Sequence, residues 1–491
     1  MALPTAIYST SQVRALDAHA TGELGVAGYL LMKRAGEAAL RYLRSRWPTV
    51  HRIVIVCGGG NNGGDGYVLA RFALAAGLAV KVLAAVAPAG LRGDARKAYE
   101  DFIASAGGIE PFSAAGLASG EVIVDALLGT GLTGLVREPA FEVIRAINGA
   151  CRPVFALDVP SGLDSDLGTP LGDAVRADAT VTFVGLKTGL FVGDGPQYSG
   201  MIFFDDLEVP VPDTPQFAPA ITRIIESEIS QALPRRARAA HKGSFGHVLI
   251  IGSGAGMPGA TRLAGEACLR AGAGLVTVAA AAENIAAIAS GRPELICVAL
   301  RDPVALPPLL AQADVVAVGP GLGRSAWARE ALAQVLASDR PLIVDADALN
   351  ILAENPVRRE NWVLTPHPGE AARLLGRTTT EIQEDRLAAL SALLERYGGT
   401  VVLKGAGTLV GAAGRAPGIC ERGNPGMASA GVGDVLTGVI AGIMAQCRDP
   451  QRAARAGVLA HALAGDAAAR GGERGLLAGD VARELRTWVN L

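Results

Sequence analysis

Two α/β domains, each built on a mostly parallel sheet, are what this 491-residue sequence predicts. Three observations carry that expectation. Short apolar runs alternate with Ala/Leu-rich amphipathic stretches along nearly the whole chain, glycine clusters sit at the ends of those runs, and one proline-rich stretch interrupts the pattern. Ile53–Cys57, Val80–Leu83, Val122–Ala126, Val154–Leu157 and Thr180–Val184 read as strands, and Gly66–Ala76 and Ala140–Ile147 as helices between them. Strands that are apolar on both faces and alternate with helices predict a parallel sheet covered on both sides. The alternation breaks at Leu207–Pro219, where Pro210, Pro212, Pro215 and Pro219 block both helix and central strand. It resumes at Val248–Gly252, Leu275–Ala279, Val315–Gly319, Leu342–Asp345, Trp362–Leu364 and Thr400–Lys404. The expected boundaries are therefore 1–215 and 225–491, joined by a linker at 216–224.

Composition narrows the function. Half the residues are hydrophobic, 19% are charged and the formal charge is −2, so cores are ample and no broad basic field exists for a nucleic acid. At 4% aromatic residues the chain also lacks stacking platforms for single strands. The six cysteines (Cys57, Cys151, Cys268, Cys297, Cys420, Cys447) form no CxxC pair, which fits buried thiols in a reducing compartment. The uncharged run Val435–Cys447 is far short of the roughly 18–20 residues a membrane span needs, and the N-terminus has no secretion-signal pattern. A cytoplasmic protein without membrane or nucleic-acid partners is the expectation.

In the second half, Gly423–Asp434 (GNPGMASAGVGD) leads into the helix-like VLTGVIAGIMA. Gly431 and Gly433 let backbone amides approach an anion at a helix start, where unpaired N–H groups and the helix dipole favour negative charge. Asp434 at that start is placed either to cap the helix or to take a hydroxyl proton beside a transferring phosphoryl group. Lys404–Thr408 (KGAGT), Thr365–Glu370 (TPHPGE), the set Asp345, Asp347 and Asn350, and Gly319–Gly323 (GPGLG) all follow strands. Such ends are where open α/β sheets bind ligands.

The GxGD signature at Gly431–Asp434 resembles the ribokinase-like superfamily. With His241–His247 (HKGSFGH), Gly256–Ala260 (GMPGA), Gly319–Gly323, Thr365–Glu370, Lys404–Thr408 and Asn424–Met427 (NPGM), the stretch from about His241 to Asp480 looks like the NAD(P)H-hydrate dehydratase family. The resemblance implies a ribokinase-like fold and phosphorylation of the C6 hydroxyl of hydrated NADH or NADPH, with loss of phosphate restoring the reduced cofactor. It implies that Ala260, Gly321, His367 and Asp434 face the hydrate, with Asp434 catalytic. It further implies that Lys404, Gly405, Ala406, Gly407, Thr408 and Gly433 face the nucleotide, and that Glu370 positions a magnesium-bound water. Bacterial members typically use ADP, and the fused two-domain form points to ADP as co-substrate. Ala430-Gly431-Val432 departs from the more usual Gly-Gly-Ser or Gly-Gly-Thr.

In the first half, strand Ile53–Cys57 runs into Gly58–Gly66 (GGGNNGGDG), expected as a loop whose amides approach a pyrophosphate. It lacks the Lys-Ser/Thr ending of a P-loop. Asp125–Gly131 (DALLGTG), Asp158–Gly162 (DVPSG) and Lys187 follow later strands, and Asn62, Asp125 and Ser161 offer hard oxygens to a cation. These motifs resemble the NAD(P)H-hydrate epimerase family over roughly residues 8–210, implying a Rossmann-like parallel-sheet domain that interconverts the R and S hydrates. By that resemblance Asn62, Asp125 and Ser161 hold potassium. Asn61, Asn62, Gly63, Gly64, Asp65, Gly129, Thr130, Gly131, Leu132, Thr133, Gly134, Leu135 and Asp158 contact substrate. Asp158 and Lys187 are the expected acid–base pair, and a homo-oligomer is the family's usual state. Two competing readings stay open: a kinase of a vitamin alcohol with a regulatory first domain, and a non-enzymatic scaffold. His367 and GMPGA speak against the first; Asp158, Lys187 and the lack of a basic patch speak against the second.

Overall fold

The structure, a computed structural model, describes residues 3–491. The chain divides into two compact units, the first ending at Ile221 and the second spanning Thr222–Leu491.

The first unit holds a seven-stranded parallel sheet. Counted along the chain its strands are Arg52–Cys57, Ala79–Ala84, Ile109–Pro111, Val122–Ala126, Val154–Leu157, Ala179–Phe183 and Met201–Asp205, and their spatial order is 3-2-1-4-5-6-7. Strand residues alternate between two cores: Ile53, Ile55 and Cys57 face the helices Gly28–Arg46 and Asn61–Ala75, while Val54 and Val56 join Val143, Ile144 and Ile147 of helix Ala140–Gly149. That two-sided burial is why these strands read as unbroken apolar runs. The order reverses between Arg52–Cys57 and Val122–Ala126, so the crevice for a ligand opens where GGGNNGGDG and DALLGTG meet. Outside this seven-stranded sheet, Ala6–Tyr8 pairs in parallel with Leu186–Lys187.

One expectation is corrected here. The glycine-rich segment is not a loop through Gly66; the helix begins at Asn61, with Gly60 as its extended cap. No glycine from 58 to 66 has a positive φ, so these glycines serve close packing. A Cβ at Gly63 would lie 2.1 Å from the Gly58 carbonyl oxygen, and one at Gly66 would lie 2.7 Å from Ala126 Cβ and 2.9 Å from Cys57 Sγ. Gly66→Ala is accordingly expected to destabilise the first unit by about 1–3 kcal/mol through overpacking. An unchanged midpoint in chemical denaturation would refute this account of the glycine.

The second unit carries a mixed sheet. The order across it is Ile296–Ala299, Leu275–Ala280, His247–Ile251, Val315–Val318, Leu342–Val344, Trp362–Leu364, Thr400–Leu403, Thr408–Ala412, Gly418–Cys420 and Ile221–Arg223. All pairings are parallel except the two made by Thr408–Ala412. The sequence predicts KGAGT as a ligand turn, and the structure makes it also the connection of a hairpin; so short a connection can close nothing but an antiparallel pair. Strand Ile221–Arg223 falls inside 216–224, the stretch expected as linker. Helix Val432–Cys447 is buried on nearly every side. Gly438 brings it against the backbone of helix Pro258–Arg270, where a Cβ would meet the Ala264 carbonyl oxygen at 2.0 Å. The uncharged run is thus a core helix, and no helix among the described residues is long and apolar enough to cross a membrane. Of the cysteines expected to be buried, Cys151 is exposed, and all six are free thiols.

Candidate active sites

In the first unit a cavity of about 890 Å³ is lined by Asn61, Asn62, Asp65, Gly129–Thr133, Asp158 and Lys187, together with Arg14 and Asp17. The sheet delivers Asp158 at the end of strand Val154–Leu157, and its φ of +67° holds it in the left-handed region that Asp tolerates better than most residues. Lys187 arrives on the short strand paired with Ala6–Tyr8 and is 1% exposed. Its ammonium makes an ion pair with Asp158 and donates to the Phe183 carbonyl at 2.7 Å. Gly63 and Gly64 lie in the helix packing and not in the cavity wall; Gly134 and Leu135 also lie off it, and Leu135 is 69% exposed.

Behind the wall, Asp125 is fully buried. It accepts from the Ser161 amide at 2.8 Å and hydroxyl at 2.6 Å and from the Leu127 amide at 3.2 Å. Burial pushes its carboxyl up to about 6, the hydrogen bonds from Ser161 and Leu127 pulling the other way. Asn62 donates to the Leu128 carbonyl at 2.8 Å, while its buried Oδ1 has no hydrogen-bond partner among the described residues.

Sequence reasoning missed Asp17. Arg14, Asp17 and Thr21 form one stripe of helix Thr10–Gly22, beside the buried stripe of Val13, Leu16 and Ala20, and that spacing was the only available signal. Burial raises the Asp17 carboxyl to about 6, with Lys187 lowering it and Asp158 adding to the rise. Asp65 is raised well above the carboxylate range, first by burial and then by Asp158 and Asp17. The cavity therefore offers a buried cation, its carboxylate partner and two carboxyls disposed to hold protons.

In the second unit the sheet order reverses between His247–Ile251 and Val315–Val318. The loops beyond them interlock: Ser253 N donates to Pro320 O at 2.9 Å and Gly254 N to Gly321 O at 2.8 Å. Ala260 stands against Gly321, whose φ is +59° and where a Cβ would come 3.0 Å from that of Ala260. Asp434 lies in the first turn of helix Val432–Cys447, capped by Gly431 at φ +87°. Burial pushes its carboxyl up to about 7; Asp345, Asp347 and Glu370 add to the rise and Lys404 opposes it. Lys404 links the site together. Its ammonium sits 2.8 Å from Asp345 Oδ1 and 3.7 Å from Glu370 Oε2, and a Cβ on Gly433 would lie 3.5 Å from it.

Asp345 accepts a second bond from Thr437 Oγ1 at 2.6 Å, tying the Asp434 helix to the Lys404 turn. Burial alone would raise Asp345, but Lys404 and the hydroxyl bonds outweigh it and hold the carboxyl below its ordinary value. Thr437→Val should leave a buried carboxylate oxygen undonated and cost about 1–3 kcal/mol, with Thr437→Ser restoring the loss. Denaturation midpoints of the three proteins would show it; a Val variant as stable as the parent would end the claim.

His367 caps helix Pro368–Leu375. Its Nδ1 accepts from the amides of Gly369 at 3.0 Å and Glu370 at 3.3 Å, and Glu370 accepts from the His367 amide at 2.8 Å. The ring is held below its usual pKa by burial, Lys404 and Arg373, so it is neutral with its proton on Nε2. Burial lifts Glu370 to about 7 against the pull of Lys404. The turn Lys404–Thr408 needs its glycines, with φ of +139° at Gly405 and +63° at Gly407. His461, for which the sequence offered no partner, is buried and bonded through Nε2 to the Val432 carbonyl at 3.1 Å. Among the described residues no group of three or more His, Cys, Asp or Glu side chains is set to hold a metal ion.

The geometry agrees with the company the chain keeps. The NAD(P)H-hydrate dehydratase family matches residues 248–487, and the family described as YjeF-related protein N-terminus matches residues 28–189. A ribokinase-like superfamily protein from Enterococcus faecalis is 31% identical, with a TM-score of 0.52, over 55% of this chain and 96% of its own. The ADP/ATP-dependent NAD(P)H-hydrate dehydratase of Bacillus subtilis, co-crystallized with ATP and Mg2+, is 28% identical with a TM-score of 0.50 over 55% of this chain and 97% of its own. The bifunctional NAD(P)H-hydrate repair enzyme of Coxiella burnetii is 49% identical over 99% of this chain and 100% of its own length. With a relative that close over the whole of both chains, this protein belongs to the bifunctional NAD(P)H-hydrate repair enzymes, an epimerase-type domain followed by a ribokinase-like dehydratase domain.

Proposed function

We propose that this chain restores NADH and NADPH that have taken up water at C6 of the nicotinamide ring, the first unit interconverting the R and S hydrates and the second dehydrating the S hydrate at the expense of ADP. The observation that carries the reading is the placement of Asp434. A carboxyl raised to about 7 stands at the start of a helix beside the partly buried Lys404, which suits a base that takes the C6 hydroxyl proton as a phosphoryl group arrives. The oxygen of C6 attacks the terminal phosphorus of ADP and AMP leaves. Ring nitrogen then expels phosphate from C6, a proton is lost from C5, and the reduced ring returns. Ala260, Gly321 and His367 form the hydrate's side of the site; Lys404–Thr408 and Gly433 form the nucleotide's.

In the first unit Asp158 and Lys187 act as the acid–base pair that helps the hydroxyl leave and water return on either face. Two ions fit the residues present. The unpartnered Oδ1 of Asn62, with buried Asp125 and Ser161 nearby, suits potassium, a cation that would supply fixed positive charge beside the substrate. Glu370, a single carboxyl lifted to about 7, suits magnesium held through water and by the phosphates of the nucleotide. The cytoplasmic homo-oligomer expected from the sequence belongs to the same proposal.

The test is recovery of absorbance in the reduced-nicotinamide band from a mixed R/S NADH hydrate with magnesium and either ADP or ATP. Full recovery with ADP supports both activities. Recovery of the S fraction alone removes the epimerase assignment, and no recovery with either nucleotide overturns the proposal.

A further inference from the structure

Beneath the Lys404–Thr408 turn lies a group that neither the motifs nor the proposed chemistry uses. Arg386 is the first residue of helix Arg386–Tyr397 and is 4% exposed. A cation at a helix N-terminus is disfavoured by the helix dipole, and a buried one is costly without a partner. Among the described residues no carboxylate lies within ion-pair distance of it. Its Nη2 donates instead to three carbonyls, Leu403 at 3.2 Å, Lys404 at 3.3 Å and Gly407 at 3.4 Å, and its Nη1 donates to Gln383 Oε1 at 2.7 Å. Its Nε is buried without a hydrogen-bond partner. Gly405 completes the arrangement. A Cβ there would fall 2.9 Å from Nη1 and 3.2 Å from Nη2, so any side chain at 405 would contest the guanidinium's place.

The consequence concerns the outer face of the turn. Peptide units whose carbonyls point inward to a guanidinium present their N–H groups outward, where they favour an anion. We propose that Arg386 is a positioning residue for the phosphate-bearing co-substrate: it draws the carbonyls of Lys404 and Gly407 inward, turns the amides of the same peptide units, those of Gly405 and Thr408, toward the phosphates, and sets an unmatched positive charge behind them. A nucleoside diphosphate on the turn supplies the negative charge that the protein itself withholds. Lysine is a poor substitute, because its single nitrogen cannot hold the three carbonyls that Nη2 reaches and also the Gln383 oxygen that Nη1 reaches.

This inference rests on the nucleotide reading of Lys404–Thr408, and the experiment separates the two. Steady-state kinetics of the full chain with S hydrate are measured against ADP and against ATP for the parent, Arg386→Met, Arg386→Lys and Gln383→Leu. The expected result is a rise of at least tenfold in nucleotide KM for Met, a nearly equal rise for Lys, and a hydrate KM within twofold of the parent in both. Gln383→Leu, which touches only an exposed partner of the guanidinium, should raise nucleotide KM two- to threefold and keeps the question answerable should the Met variant not fold. Parent protein that saturates with neither nucleotide would remove the nucleotide reading itself. Parent protein that saturates normally, with unchanged nucleotide KM in the variants or with both KM values rising together, would overturn the role given to Arg386.

Discussion

Asp434→Asn should lower dehydration of the S hydrate by about a hundredfold to ten-thousandfold, the range a positioned general base contributes, while leaving nucleotide KM close to the parent's. Asparagine keeps the size of the side chain and its place in the first helical turn but cannot take a proton. The same carboxyl sets the pH dependence. A base works only when deprotonated, and burial with Asp345, Asp347 and Glu370 lifts Asp434 to about 7 against the pull of Lys404. The kcat/KM of the parent should therefore climb as pH rises through about 7 and level off above it. Glu370, also lifted to about 7, titrates in the same window, so the part of the profile that Asp434→Asn abolishes is the part Asp434 sets; burial holds His367 below its ordinary value and pushes His461 down to about 4. Assays between pH 5.5 and 8.5 decide the matter. An Asn variant retaining more than a tenth of parental turnover would remove Asp434 as the base.

The second large effect is expected at Lys187. Lys187→Met removes a cation that is 1% exposed and strands Asp158, whose side chain is 17% exposed, without its partner. Breaking a buried pair from one side costs about 3–5 kcal/mol, and losing a positioned acid–base group costs about a hundredfold or more in rate. Rescue of the R hydrate should slow accordingly while consumption of the S hydrate proceeds. Asp158→Asn is the better partner variant than Asp158→Ala, because asparagine accepts the φ of +67° that alanine would resist. The double variant should be more stable than the sum of the two losses, since no unpaired charge is left. Stability by denaturation and epimerisation followed as R-hydrate rescue test both halves; epimerisation at the parental rate in either single variant would dismiss the pair.

Much of the site was legible because parallel sheets deliver the carboxyl ends of their strands to one edge. Motifs ending strands at 57, 126, 157, 251, 318, 344, 364 and 403 therefore had to share an edge within their own unit. Whole-chain likeness to the Coxiella burnetii relative sets aside the vitamin-alcohol kinase and the scaffold that the motifs alone left open. Glycine, however, carries two meanings that a sequence does not separate. The sequence predicts GGGNNGGDG as a loop whose amides approach a pyrophosphate, whereas its later glycines let a helix start at Asn61 and press onto the sheet.

The alternation of apolar runs and helices, and the residue types waiting at the strand ends, were determined by the sequence alone, because both follow from local periodicity and from which backbone each residue permits. Only the tertiary structure decided which polar groups meet. Lys404 reaches Asp345 across 59 positions and Thr437 reaches it across 92, and Asp17 comes to the Lys187 cavity from the first helix. Arg386 opens an otherwise ordinary Ala/Leu helix and became notable only once its guanidinium was seen beneath a glycine turn with no carboxylate beside it. The physical reason is the same in each case. The charge state and partner of a buried group depend on the dielectric and the neighbours that packing supplies, and those neighbours are distant in the chain.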